Sequence, residues 1–295
     1  MEAYMTAFIQ QLINGISIGS VYALMAVGYS LVYSIMNFSN FAHGGVIMIG
    51  SYVGFFALTL LHLPFPLAFL VAGSFTAILA VVVERIAYSP LRKRNAPFLY
   101  FIISAMGASI FLENIVIATI GANFKTYPKI ISPDPILLGN LAIGRLDVIM
   151  LLISAVSLGL LIYFIEKTKT GLAIRATAYH LRASALMGVN TDTIIFIIFA
   201  LGGGLAGIAG VLFGMKYTVY PQIGAITIKS FIAAVFGGLG SLQGAVIGSL
   251  LLGIIETFTA AIASTYRDLI AFALLILVLV VRPMGLMGKS SEDKA

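Results

Sequence analysis

Residues 228–263 read IKSFIAAVFGGLGSLQGAVIGSLLLGIIETFTAAIA, with Gly237-Gly238-Leu239-Gly240-Ser241-Leu242-Gln243-Gly244 at the centre. A helix crosses the hydrocarbon core of a bilayer in about 20 residues. This run is longer than one crossing needs, and its glycine-rich centre is where a helix is most easily interrupted. Comparable apolar stretches occur at 8–36, 41–62, 66–88, 98–121, 147–165, 193–214 and 266–282. All nine prolines fall at or outside the ends of these stretches. That is the expected punctuation, because a helix interior in lipid does not tolerate a missing N–H donor well.

Composition agrees. The chain has 295 residues, of which 60% are hydrophobic and 9% charged, and its mean hydropathy is +1.08. Soluble domains run at roughly 45–50% apolar and about 25% charged. A soluble globule of this composition would face water with apolar area over most of its surface, and a disordered chain needs the opposite composition. The expected fold is therefore an all-α, polytopic membrane bundle of 8–10 segments, with one domain over 1–295 and no soluble domain. Glu2 and the lack of nearby basic residues do not match a cleavable signal sequence. Cysteine is absent, so no disulfide framework or thiolate metal site is expected. The net charge of +6 comes from basic residues too sparse for nucleic-acid binding.

Those basic residues orient the chain instead. Arg85, Arg92, Lys93 and Arg94 surround one connection. Lys167, Lys169, Arg175 and Arg182 occupy a second, and Arg282, Lys289 and Lys294 follow the last stretch. These eleven mark the cytoplasmic side, while Lys125, Lys129, Arg145, Lys216, Lys229 and Arg267 suit the outer side or the interfaces. With the connections near 92 and 175 inside, the stretch 193–214 ends outside. One crossing by 228–263 and one by 266–282 would then leave the basic tail outside. Breaking 228–263 into 228–239 and 244–263 removes the contradiction and predicts a discontinuous pair whose first half is short and partly re-entrant.

Several polar or patterned groups stand out. Small-xxx-small pairs occur at Gly15/Gly19, Gly50/Gly54, Gly203/Gly207, Gly210/Gly214, Gly240/Gly244 and Gly244/Gly248. They fit close helix packing, or a moving interface around Gly202–Gly214. The stretch Asn37-Phe38-Ser39-Asn40-Phe41-Ala42-His43-Gly44-Gly45 is either an ordinary connection or an unwound segment whose polar groups meet a substrate. His43 has no Cys, Asp or Glu beside it, which disfavours a metal or catalytic role. Glu113, Asn114 and Glu256 lie within apolar stretches, and intramembrane carboxylates are functional candidates by default; the alternative readings are a protonated carboxyl or a position near an interface, where this topology puts Glu113. Asn14 and Gln243 fit interhelical hydrogen bonds or a polar path. In the connection 166–192, residues 171–190 predict a short amphipathic helix carrying Arg175, Tyr179 and Arg182 at i, i+4, i+7. It suits a membrane surface or a partner protein. Gly288-Lys289-Ser290 lacks the upstream glycine of a phosphate-cradling loop, so an ATP-driven process would need a separate ATPase chain.

Six stretches in order carry a family resemblance. They are Gln11-Leu-Ile-Asn14-Gly15-Ile-Ser-Ile-Gly19-Ser20-Val-Tyr22, Asn40-Phe-Ala-His43-Gly44, Gly171-Leu-Ala-Ile-Arg175-Ala176 through Met187-Gly188-Val-Asn190, the Gly202–Gly210 run, Gly237-Gly238-Leu-Gly240-Ser241-Leu-Gln243-Gly244, and Arg282-Pro283-Met-Gly285 through Gly288. Together they span nearly the whole chain. They resemble the inner-membrane permease subunits of branched-chain amino acid ABC importers, of the LivH type.

The resemblance implies a multi-pass subunit in a bacterial or archaeal plasma membrane that performs no covalent chemistry and carries no cofactor or metal. It implies a second homologous permease, two cytoplasmic ABC ATPases, and a periplasmic or lipid-anchored substrate-binding protein as partners. It also implies that 171–190 resembles the coupling helix seated in the ATPase, with Arg175, Ala176, Tyr179, Arg182 and Gly188 as contacts. Asn14, Asn40, His43 and Gln243 are the candidate polar wall of the path for an amino-acid substrate. The chain departs from the resemblance at Gly45, and at Tyr179 and His180, where related chains often carry acidic residues. Urea or short amides on the same scaffold, a stand-alone secondary transporter, and a membrane enzyme using His43 are the alternative readings.

Overall fold

The computed structural model describes residues 2–139, 141–282 and 284–288. Pro283, Lys289, Ser290 and Lys294 lie outside the described residues. Ten helices build the body: α1 Glu2–Met36, α2 Ala42–Thr59, α3 Phe65–Val83, α4 Ser89–Lys93, α5 Phe98–Ile120, α6 Arg145–Lys167, α9 Thr191–Lys216, α10 Thr227–Gly237, α11 Leu242–Ala263 and α12 Arg267–Val281. Two short helices, α7 Lys169–Tyr179 and α8 Leu181–Leu186, lie between α6 and α9. Among the described residues the only sheet is the hairpin β1 Ile136–Leu138 with β2 Leu141–Ile143.

The expected all-α membrane bundle is what forms. Seven helical stretches are long and apolar enough to cross a bilayer, and Pro221–Gly237 is a shorter apolar one. The last of the seven, Leu242–Val281, is folded in two. A straight helix of that length would hold its ends about 60 Å apart at 1.5 Å per residue. Instead Leu286 N–H donates to Phe236 O at 3.0 Å, just ahead of α11. The reversal occurs at Ala263, whose φ of −155° and ψ of 94° are extended. Counting α11 and α12 separately gives eight long crossings beside the short α10, within the expected range.

The predicted break in 228–263 is present. α10 ends at Gly237, and Gly238 and Gly240 carry φ of 111° and 84° before α11 begins. Side chains are strained in that left-handed region, so glycine is needed at both positions. Ser241 then caps α11, its Oγ accepting from Gly244 N–H at 3.1 Å.

The long stretch 8–36 proves to be one unbroken helix, α1. Pro90 does not stop the third helix as expected. A wider π-turn over Glu84–Tyr88 precedes it, and the helical path runs on through α4. A proline ring clashes with the carbonyl four residues back. Here that residue is Ile86, inside the widened turn.

α9 is central, packed against α1, α2 and α3, and its glycines make those approaches possible. Gly202 faces Gly28, Gly203 and Gly207 face α3, and Gly210 and Gly214 face α2. A Cβ added at Gly207 would lie 2.7 Å from Ala72 O, which real structures do not show. Likewise Gly15 and Gly19 press α1 onto Ile254 and Leu250 of α11. Without a hydrophobic force between helices in lipid, close backbone packing holds them. Tyr127, in the connection after α5, is buried and donates to Ser51 O at 2.7 Å. That burial pushes its phenol well above the usual value, so it remains a donor.

Candidate functional site

The loop between α6 and α9 is shaped by three caps and one glycine. Thr168 Oγ1 accepts from Gly171 N–H at 3.0 Å, His180 Nδ1 from Ala183 N–H at 3.1 Å, and Asn190 Oδ1 from Thr193 N–H at 3.1 Å. Each side chain satisfies a donor left free at a helix start. Gly188 takes φ of 88° to end α8 and turn the chain toward α9. The single helix expected over 171–190 is therefore two. His180, at φ −152° and ψ 101°, breaks it because its side chain caps α8 in place of continuing α7. The i, i+7 relation between Arg175 and Arg182 does not survive the break.

Ile174, Thr177 and Ser184 anchor this loop on the bundle. Its other side is open. Arg175, Ala176, Tyr179, Arg182 and Gly188 are all exposed, as are Leu172, Leu181, Leu186 and Met187. Leu186 and Met187 are 88% and 85% exposed. An apolar surface set among cations, outside the hydrocarbon spans, suits a membrane surface or a partner protein. Arg175 and Tyr179 also line a cavity with Ser34, Gly240 and Met287. The loop therefore shares one end of the bundle with the α10–α11 turn and the described part of the tail.

Asn40 and His43 sit deep, between the ends. His43 Nε2–H donates to Met25 O at 3.2 Å, and Tyr88 O–H donates to Asn40 Oδ1 at 2.7 Å. Both residues are buried. Met25 is 8 residues from Ser17 and 9 from Ser34 along α1, so about 12–14 Å from each. Ser17 bonds Asp147 at one end of the bundle, and Ser34 faces Gly240 at the other. α2 thus starts midway through the bundle, after a link that enters from the surface: Asn37 is exposed at φ of 53°, Ser39 and Phe41 are half-buried, and Phe38 and Asn40 are buried. Asn40 Oδ1 and His43 Nε2 find their partners within the protein.

The end of the bundle opposite the α7–α8 loop is held by ion pairs. Lys216 Nζ lies 2.5 Å from Asp147 Oδ1. Glu256 pairs with Lys229, lies 3.5 Å from Arg267, and accepts from Tyr22 O–H at 2.9 Å. Lys229 also holds Asp268 at 3.0 Å. At the α7–α8 end, Arg92 bridges Glu84 at 2.7 Å and Asp192 at 2.8 Å. Glu256, a functional candidate from sequence, is thus a buried carboxylate with two cations, tying α10, α11 and α12 together.

The four candidate path residues do not converge on one pocket. Asn14 lines a polar cavity of about 530 Å³ at the ion-paired end, with Gln10, Asp147, Lys216 and Glu256. Asn40 and His43 line one small cavity together. Gln243 is exposed near the α7–α8 end. Sequence reasoning missed Asp147, Lys216, Lys229 and Arg267 as partners. Their separations in sequence leave no local signal beyond the cost of an unpaired charge inside a span.

Comparison with known proteins gives one consistent result. A family profile described as the branched-chain amino acid transport system permease component matches residues 11–279. The chain is 40% identical to the high-affinity branched-chain amino acid transport system permease protein BraD of Pseudomonas aeruginosa, over 97% of this chain and 98% of that one. It is 40% identical to the high-affinity permease protein LivH of Escherichia coli, over 97% of each. It is 30% identical to the probable branched-chain amino acid transport permease protein LivH of Methanocaldococcus jannaschii, over 90% of this chain and 88% of that one.

Proposed function

The chain belongs to the family of branched-chain amino acid transport permeases, and from that premise we propose that it is the membrane subunit of an ATP-driven importer of branched-chain or closely related amino acids. The exposed face of α7 and α8 carries this reading. The chain has no phosphate-binding loop motif of its own, yet it presents an apolar and cationic surface at one end of the bundle. Two separate cytoplasmic ATPases dock there, through Arg175, Ala176, Tyr179, Arg182 and Gly188. A second permease subunit pairs with this one, and a binding protein delivers substrate at the ion-paired end, where Asn14 lines the mouth.

The docking end is cytoplasmic by its excess of Lys and Arg, so the tail is cytoplasmic too. ATP-driven closure of the ATPases moves α7 and α8, and the bundle switches between outward-facing and inward-facing packings. Asn40 and His43 stand at the level where α2 begins, and Gln243 at the inner end. Discontinuous helices near mid-membrane are where transporters place polar groups that meet the substrate.

The decisive measurement is leucine uptake by the assembled complex in proteoliposomes. Uptake that needs internal ATP and the ATPase chains is the expected result. Gradient-driven uptake by this chain alone overturns the proposal in favour of a secondary transporter. ATP-driven uptake of urea in place of leucine changes the substrate and leaves the mechanism.

A further inference from the structure

A cavity of about 400 Å³ opens on the side of the bundle between α2, α5 and the 3-10 turn Pro221–Ile226. Two glycines bring its walls close together. A Cβ at Gly44 would overlap the Gly224 carbonyl, and one at Gly45 would lie 2.9 Å from Leu112 Cδ1. The walls are mainly apolar, with Phe41, Met48, Met106, Ile110 and Ile228. The polar side chains lining it are Ser109, Glu113, Gln222 and Thr227.

Two of these groups have unmet needs. Among the described residues four carboxylates within spans are buried or half-buried: Glu84, Glu113, Asp147 and Glu256. Arg92 holds Glu84, Lys216 holds Asp147, and Lys229 holds Glu256. Glu113 has neither an ion pair nor a hydrogen bond among the described residues. It lies 15 residues into α5, between its ends. Half-buried and about 10 Å from the C-terminal end of α5, this carboxylate has no cation beside it among the described residues, and a cation is what best satisfies it there. Thr227 is 3% exposed, and its Oγ1 has no hydrogen-bond partner.

We propose that this cavity is a transit site for a branched-chain amino acid, with Glu113 pairing the substrate ammonium and the apolar wall receiving its side chain. The assignment rests on the import reading above and names a site within it. The Ser109 hydroxyl and the Gln222 carboxamide supply donors for the substrate carboxylate, and Thr227 Oγ1 lies just behind the wall. One ion pair against an otherwise apolar wall gives a site that fills and empties, as conduction requires. It also favours zwitterions over 2-oxo acids, whose single negative charge meets Glu113 with repulsion.

The test uses the complete complex, with ATPases and binding protein, in proteoliposomes. Glu113→Gln is expected to lower ATP-driven leucine uptake at least tenfold, while the ATPases co-purify as before and Glu113→Asp keeps part of the activity. The chain has no native cysteine, so Glu113→Cys gives a sharper readout. Sulfonatoethyl methanethiosulfonate, which restores a negative charge, is expected to recover uptake. The trimethylammonium reagent is not, and leucine is expected to slow both modifications. Wild-type uptake with an unaffected Glu113→Gln variant, or equal effects of the two reagents, overturns the ammonium site and spares the import reading. A wild-type complex that carries no branched-chain amino acid overturns both. If Glu113→Gln does not assemble, the two reagents on Glu113→Cys decide.

Discussion

Glu84 illustrates how single residues hold this chain together. It is 1% exposed, and it remains there because Arg92 reaches it at 2.7 Å while also holding Asp192 on α9. Removing one partner of a buried pair strands the other, at a cost of about 3–5 kcal/mol, whereas removing both costs far less. Arg92→Met is therefore expected to lower the thermal midpoint in detergent substantially, and Glu84→Gln with Arg92→Met to recover most of the loss. Equal midpoints for the single and double variants would refute the pairing. Asn190 makes a smaller test. Its side chain caps α9, so Asn190→Ala is expected to cost about 1 kcal/mol and to speed amide exchange at Thr193, while Asn190→Asp keeps the cap. The sequence marks Arg92 as one of a basic cluster and Asn190 as the end of the helix predicted over 171–190, not as the cap of the next one. It does not say that Arg92 points back to Glu84, since pairing depends on how α4 turns after the π-turn.

Helices in this bundle are matched by where their glycines fall. Gly237 of α10 and Gly244 of α11 touch so closely that a Cβ on either would overlap the other's carbonyl oxygen. Gly107 of α5 and Gly159 of α6 face open space instead. Overpacking a tight contact costs about 1–3 kcal/mol, while Gly to Ala in an open helix interior gains up to about 1 kcal/mol. Gly237→Ala and Gly244→Ala are thus expected to lower folded yield and thermal midpoint, and Gly107→Ala and Gly159→Ala to leave them equal or higher. Uniform behaviour of the four would contradict the packing. The spacing of small residues made the tight pairs legible in α1, α2, α9 and α11. The break at His180 was not legible, because an alanine-rich run with good helix propensity gives no local sign that a histidine side chain will serve as a cap.

At the scale of the molecule, the two ends differ in kind. One carries the exposed α7–α8 face, and the other the ion pairs around Glu256 and Asp147. Charge reversal at Arg175 and Arg182 together is expected to release the ATPases or uncouple hydrolysis from uptake, while the chain still inserts. Normal ATP-driven uptake in that variant would remove the docking assignment. Single cysteines at Phe124 and Met287, both exposed, are expected to label from opposite sides of the membrane, Met287 from the cytoplasmic one. Local sequence was enough to identify the solvent of this protein, the approximate number of its crossings and the break in 228–263. Hydropathy, charge bias and glycine spacing are local quantities that add up along a chain, and lipid leaves the backbone few alternatives to helix. The packing of the helices set which carboxylates are paired, that Asn40 and His43 are buried midway through the bundle, and that Glu113 lines a cavity with no partner among the described residues. Those outcomes depend on contacts between helices far apart in sequence, and pairing across such distances is set by packing geometry that no local pattern encodes.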